Sequence, residues 1–126
     1  MRILVCGDRN WRAIGPIETV LALYEGLPYQ DTLIHGGCRG ADRLAGHIGL
    51  GMGFKIRKYP AQWNRYGKAA GVIRNQQMLD EGRPDIVIGF HDNIEQSRGT
   101  KDMLNRAKKA GIPTVLYTSK YERKEW

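Results

Sequence analysis

What most constrains this chain is a repeated change of period. Short β-type runs end at glycine or proline, and each is followed by a stretch whose apolar residues recur at helical spacing. Residues 2–6 form the first such run, halted by Gly7-Asp8-Arg9. Residues 32–35 form a second, closed by Gly36-Gly37, and 54–59 alternate like a third before Pro60. The segment 85–90 (Asp-Ile-Val-Ile-Gly-Phe) is the clearest buried strand, and 114–118 is the last. Between them, Ile17, Val20, Leu21 and Tyr24 mark a helix over 16–25, with Pro16 suited to its first turn. Further helices are expected over 41–50, 68–81 and 100–110. Gly82 and Gly111 supply stop signals for the last two, while Gly46 and Gly49 weaken the first.

Strands and helices alternating at this spacing imply crossover connections and a parallel sheet covered on both faces. The expectation is one α/β domain of Rossmann-like type over 1–118, with a five-stranded parallel sheet in the order 3-2-1-4-5. The charged tail 119–126 is expected to fray. A chain of 126 residues holds one such core and needs no disulfide or metal to fold. Cys6 and Cys38, both at strand ends, are expected as reduced thiols. His35, His47 and His91 lack metal-ligand spacing, so neither a metal nor another cofactor is expected. No apolar run approaches the ~18 residues of a membrane span, and Met1 leads straight into a strand rather than a signal peptide. A cytoplasmic chain with no membrane partner follows.

In such folds ligands bind beyond the carboxyl ends of the strands, where the strand order reverses. The unusual residues fall there. The first loop carries Gly7, Asp8, Arg9 and Trp11. The second carries Gly36, Gly37, Arg39, Gly40, Ala41 and Asp42; its glycines let backbone N–H groups approach a ligand, and the helix behind it favours a phosphate. Asp42 fits either a ribose hydroxyl contact or a plain first-turn acid. A fourth loop, Ser97-Arg98-Gly99-Thr100, repeats the logic, with Ser97 or Thr100 also suited to capping the last helix. Between these two lie Trp63 and Tyr66, which offer stacking surfaces or a lid, or else cap the core, and then Arg74 and Asn75. Arg9, Arg39, Arg74 and Arg98 converge on this edge, and a guanidinium fork grips two phosphate or carboxylate oxygens at once. The net charge of +7 favours anionic partners without choosing between a nucleotide and a nucleic acid.

Taken together, Gly7-Asp8-Arg9-Asn10-Trp11, His35 to Asp42, Arg74-Asn75-Gln76-Gln77-Met78 and Ser97-Arg98-Gly99-Thr100 resemble the SLOG superfamily, in its small YspA-related branch. This is the Rossmann-like fold of the Lonely Guy phosphoribohydrolases and of DprA. The resemblance implies a nucleotide-type ligand at the strand edge, a role in bacterial or phage defence, and a homodimer or higher homo-oligomer. Catalysis by the Lonely Guy route uses an arginine and the glutamate of a Pro-Gly-Gly-x-Gly-Thr-x-x-Glu motif. Arg74 resembles that arginine, but the stretch before Gly99-Thr100 reads Gln96-Ser97-Arg98 in place of the Pro-Gly-Gly, and Met103 stands at the glutamate. Asp102, one residue early, points about 100° away around the helix. A thioether neither takes a proton nor stabilises an oxocarbenium-like centre.

The leading expectation is therefore a non-catalytic binder of an ADP-ribose-type molecule or cyclic nucleotide, acting as a sensor or as a phage-borne sponge. An N-glycosidic hydrolase using Arg74 with Asp102 or Asp8 stands second, and a DprA-like binder of single-stranded nucleic acid third.

Overall fold

The computed structural model describes residues 1–24 and 31–126. The end of the first expected helix, at Glu25, lies outside them. Six strands form one sheet: β1 (Arg2–Gly7), β2 (Thr32–His35), β3 (Lys55–Lys58), β4 (Ile86–Phe90), β5 (Thr114–Tyr117) and β6 (Arg123–Glu125), in the order β3-β2-β1-β4-β5-β6. The first five are parallel, in the expected order.

Alternation along each strand divides the core in two. Ile3, Val5, Leu33, Ile88, Phe90 and Val115 face one way, against Ile17, Val20 and Leu21 of α1 (Ile14–Leu23) and Ala41 and Ala45 of α2 (Ala41–Met52). Leu4, Cys6, Ile34, Val87 and Leu116 face the other way. They pack on Met78 and Leu79 of α4 (Ala70–Gly82) and on Met103, Leu104 and Ala107 of α5 (Gly99–Lys109). Strands buried on both faces read as continuous apolar runs for this reason. The glycines that weaken α2 on propensity sit against the sheet. A Cβ on Gly46 would lie 2.7 Å from His35 Nε2, and one on Gly49 would lie 2.8 Å from Leu33 Cδ1. Close helix–sheet approach outweighs the loss of propensity, and the helix runs on to Met52.

The expectation of a wholly parallel, five-stranded sheet is corrected by the tail. After a turn at Tyr121 (φ 63°), Arg123–Glu125 pairs antiparallel with β5. Trp126 anchors it, donating its backbone N–H to Thr114 O at 3.2 Å and its indole N–H to Asn105 Oδ1 at 2.9 Å. A charged sequence suits an edge strand, whose exposed side chains discourage further pairing.

Candidate functional site

From β3 at one edge the chain returns to place β4 beside β1, so the strand order reverses between β1 and β4. Above their carboxyl ends lies a cleft of about 400 Å³. Its walls come from every element the fold brings there: Gly7, Asp8 and Arg9 after β1, Arg39 and Asp42 after β2, Arg74 and Asn75 on α4, and Ser97 to Thr100 at the start of α5. The volume falls within the range of small-molecule sites.

Arg74 is the centre of the arrangement. It is buried, and its Nη1 donates to Gly36 O at 2.7 Å and to Tyr59 O at 3.4 Å. Its Nε donates to Asn75 Oδ1 at 3.2 Å, and its Nη2 reaches Cys38 Sγ at 3.7 Å. A Cβ on Gly36 would collide with the guanidinium, so that glycine makes room for an arginine. No salt bridge among the described residues engages Arg9, Arg39, Arg74 or Arg98. Asp42 attracts Arg74 through space without closing an ion pair, and a buried guanidinium held this way favours a further anion.

Asp42 faces Arg74 but serves the loop. Its carboxylate accepts the N–H of Gly36 at 3.0 Å and that of Cys38. Burial raises its pKa to about 6, partly countered by Arg74 and those two amides. His35 Nδ1 accepts the N–H of Gly37 at 2.9 Å. Burial, then Lys58 and Arg74, push its pKa down to about 4, so the imidazole is neutral at neutral pH. Ala41 donates its N–H to Asp8 O at 3.1 Å, and at Gly40 (φ 80°) any Cβ would strike the backbone of Asp8 and Arg9. The Gly-Gly-x-x-Gly loop thus spends the amides of Gly36, Gly37 and Ala41 on its own frame. This corrects the expectation that they cradle a ligand.

At α5 the balance differs. Ser97 Oγ accepts the Thr100 N–H at 3.1 Å, which is the capping role. Gly99 lines the cleft and has open space where a Cβ would stand. Asn75 ties this turn to α4, its Nδ2 donating to Gly99 O at 3.2 Å and to Asp102 Oδ2 at 3.0 Å.

Other expected site residues lie elsewhere. Trp11 is in the core, edge-on to Phe90 at 5.6 Å, with its indole N–H on Ala13 O, and offers no stacking face. Ala41 is fully buried. Asp102 lies outside the cleft, held by Arg106 Nε at 2.8 Å, while Met103 is wholly in the core. Trp63 and Tyr66 sit on the short helix α3 (Trp63–Tyr66), which buries no residue, so neither caps the core. Trp63 lines a groove beside the cleft together with Gly36 and Gly37; Tyr66 borders neither and lies under Arg65 at 5.1 Å.

Cys6, Asn10, Cys38, Met78 and His91, none of them named from the sequence as a ligand contact although Asn10, Cys38 and Met78 lie in the quoted motifs, complete the wall. Met78 is four residues beyond Arg74, and that spacing puts both on the same face of α4. His91 follows directly on the end of β4. Both cysteines are free, and burial pushes the Cys6 thiol well above its ordinary pKa. Among the described residues no cluster of His, Cys, Asp or Glu fits a metal ion, and no helix is long and apolar enough to cross a membrane.

Comparison with known proteins agrees with this fold. Residues 1–66 match the family described as "YspA, cpYpsA-related SLOG family". The Gene 61 protein of Mycobacterium phage D29 is 36% identical over 126 residues, covering 94% of this chain and 98% of that protein. Among solved structures, DNA processing protein A (DprA) from Streptococcus pneumoniae is similar, with a TM-score of 0.65 and 19% identity over 93% of this chain. This chain spans 49% of that one, and the likeness is one of fold.

Proposed function

Because the chain belongs to the YspA, cpYpsA-related SLOG family, we propose that its cleft binds a nucleotide or nucleotide-derived signalling molecule, of ADP-ribose or cyclic-nucleotide type, without cleaving it. The observation that carries this reading is Arg74: a buried guanidinium without a salt-bridge partner, at the strand-order reversal, in a cleft that also gathers Arg9, Arg39 and Arg98. Phosphate adds negative charge to a wall in which cations outnumber Asp8 and Asp42, and the guanidinium forks of Arg9, Arg39 and Arg98 suit its oxygens while Arg74 adds charge from behind them. The turn at Gly99 adds backbone amides at the positive end of α5.

Binding rather than hydrolysis follows from the chemistry of α5. Met103 is packed in the core and Asp102 is paired with Arg106 outside the cleft, so no carboxylate of that helix meets Arg74's ligand. Two acids remain in the cleft wall: Asp42, whose carboxylate is held by the Gly36 and Cys38 amides, and Asp8, whose Oδ1 accepts the Asn10 N–H at 2.9 Å. The phage origin of the 36%-identical relative favours sequestration of a signal over its synthesis. A homodimer belongs to the same proposal, and light scattering tests it.

Equilibrium dialysis against a panel of nucleoside phosphates, ADP-ribose and cyclic nucleotides tests the reading, with chromatography of the recovered ligand. The expected result is saturable binding of at least one compound, recovered intact. Release of free base, abolished by Asp8→Asn, would establish the hydrolase instead.

A further inference from the structure

The groove beside the cleft is as distinctive as the cleft. It is lined by Arg43, Lys58, Pro60, Ala61 and Trp63 together with Gly36 and Gly37, and it shares Arg9, Cys38, Arg39 and Arg74 with the cleft as a common wall. Five of its lining residues are cationic and none is acidic. No salt bridge among the described residues engages Arg43 or Lys58 either. Like charges gathered without counter-charges repel one another, and an arrangement of this kind attracts an extended anion.

Local structure explains how the groove is built. Lys58 ends β3 opposite His35 of β2. Its aliphatic stem then crosses Gly37, where a Cβ would lie 2.5 Å from Lys58 Cε. Arg43, in the first turn of α2, donates its Nε–H to Gly37 O at 3.1 Å. The glycine pair that frames the cleft on one side therefore holds two cations over the groove on the other. At the rim stands Trp63, 49% exposed and resting near Gly71 of α4. An indole left half in water beside a row of cations matches the way single-stranded bases are held, with phosphates on the charges and the base on the ring.

We infer that this groove is a second subsite for the same ligand. It takes a second nucleotide unit, its base on Trp63 and its phosphate on Arg43 and Lys58, with the linking phosphate at the shared wall of Arg9, Arg39 and Arg74. The preferred ligand is then a dinucleotide rather than a mononucleotide. This rests on the reading of the cleft as a nucleotide site.

Calorimetry on the full chain separates the two claims. The probes are the ribonucleoside 5′-monophosphates, their linear 5′-phosphorylated dinucleotides, and oligothymidylates of increasing length. The expected result is a dinucleotide bound about ten- to a hundred-fold more tightly than its monophosphate, the return for one more stacked base and phosphate. Lys58→Gln and Trp63→Ala should each remove most of that advantage while leaving monophosphate affinity unchanged. Equal affinities, or variants that weaken monophosphate and dinucleotide alike, would overturn the second subsite and leave the cleft standing. Affinity that climbs steadily with oligothymidylate length and falls steeply with salt would overturn the dinucleotide in favour of single-stranded nucleic acid. If neither monophosphate nor dinucleotide binds, the second subsite falls, and the cleft falls with it only if ADP-ribose and the cyclic nucleotides of the dialysis panel also fail to bind.

Discussion

Two glycine-bearing turns at the same sheet edge look alike in sequence and do different work. Gly36-Gly37 after β2 has its amides occupied by Asp42 and His35, and the backbone carbonyl of Gly36 receives Arg74. Gly99 at the start of α5 faces open space, and only the neighbouring Thr100 amide is taken, by Ser97. The first turn is a frame that positions an arginine; the second is left open, and it is here that the proposed ligand would meet the backbone. A glycine motif after a strand therefore says little until the partners of its amides are known.

The largest effect expected from this contrast is at Gly99. A Cβ at Gly99 meets no neighbour in the free protein and Gly99 lines the cleft, so Gly99→Val should fold normally and lose nucleotide binding by a hundred-fold or more, about 3 kcal/mol. Gly37→Val should behave differently. At φ 76° a branched side chain is strained and displaces Lys58, so the melting temperature falls, with a free-energy cost of about 1–3 kcal/mol. Circular dichroism and calorimetry on both variants check the contrast; equal stability loss in the two would erase it.

Next in size is Arg74→Ala. Loss of a charge-assisted contact of about 1.5–3 kcal/mol should weaken binding by roughly ten- to a hundred-fold. Arg74→Lys should recover only part, because an ammonium lacks the fork that reaches Gly36 O, Tyr59 O and Asn75 together. Full recovery by lysine would make Arg74 a point charge rather than a positioning fork.

A smaller effect is expected from pH, on the frame alone. Asp42 is raised from 3.8 to about 6, so the folded state holds the extra proton between those values and stability falls as pH rises through them. His35 is lowered from 6.5 to about 4, so the unfolded state holds the extra proton and stability rises with pH across that window. The two oppose each other, and thermal stability should be nearly flat from pH 4 to 6. Asp42→Asn should uncover a stability that rises with pH over about 4 to 6.5. A melting-temperature series on both proteins checks this, and parallel profiles would contradict it. Smallest of all, Asp102→Asn should change affinity less than two-fold, about 0.4 kcal/mol, because its carboxylate is held by Arg106 outside the cleft.

Much of the fold was legible because burial on both faces leaves a plain trace: Ile3 and Val5 against Leu4 and Cys6 already divide the two halves of the core. The loops of the cleft were legible as departures from that pattern. Three features were not. The sixth strand is charged and short, and its anchor, Trp126, reads as part of a tail. Trp11 sits in a loop where an indole points up or down with equal sense locally; Phe90, across the sheet, decides it. The basic groove joins the loops after β1 and β2 to α2, β3, α3 and α4, and no single stretch of sequence contains it.

The central claim, an intact nucleotide held at Gly99 and Arg74, is tested most directly by what the purified protein carries. Wild-type protein and Gly99→Val, loaded with the same nucleotide mixture, desalted and denatured, are compared by mass spectrometry of the supernatant. The account predicts an intact nucleotide-derived compound, stoichiometric with wild-type protein and absent from the variant. The same content released from both proteins, or free base and sugar phosphate from the wild type, would contradict it.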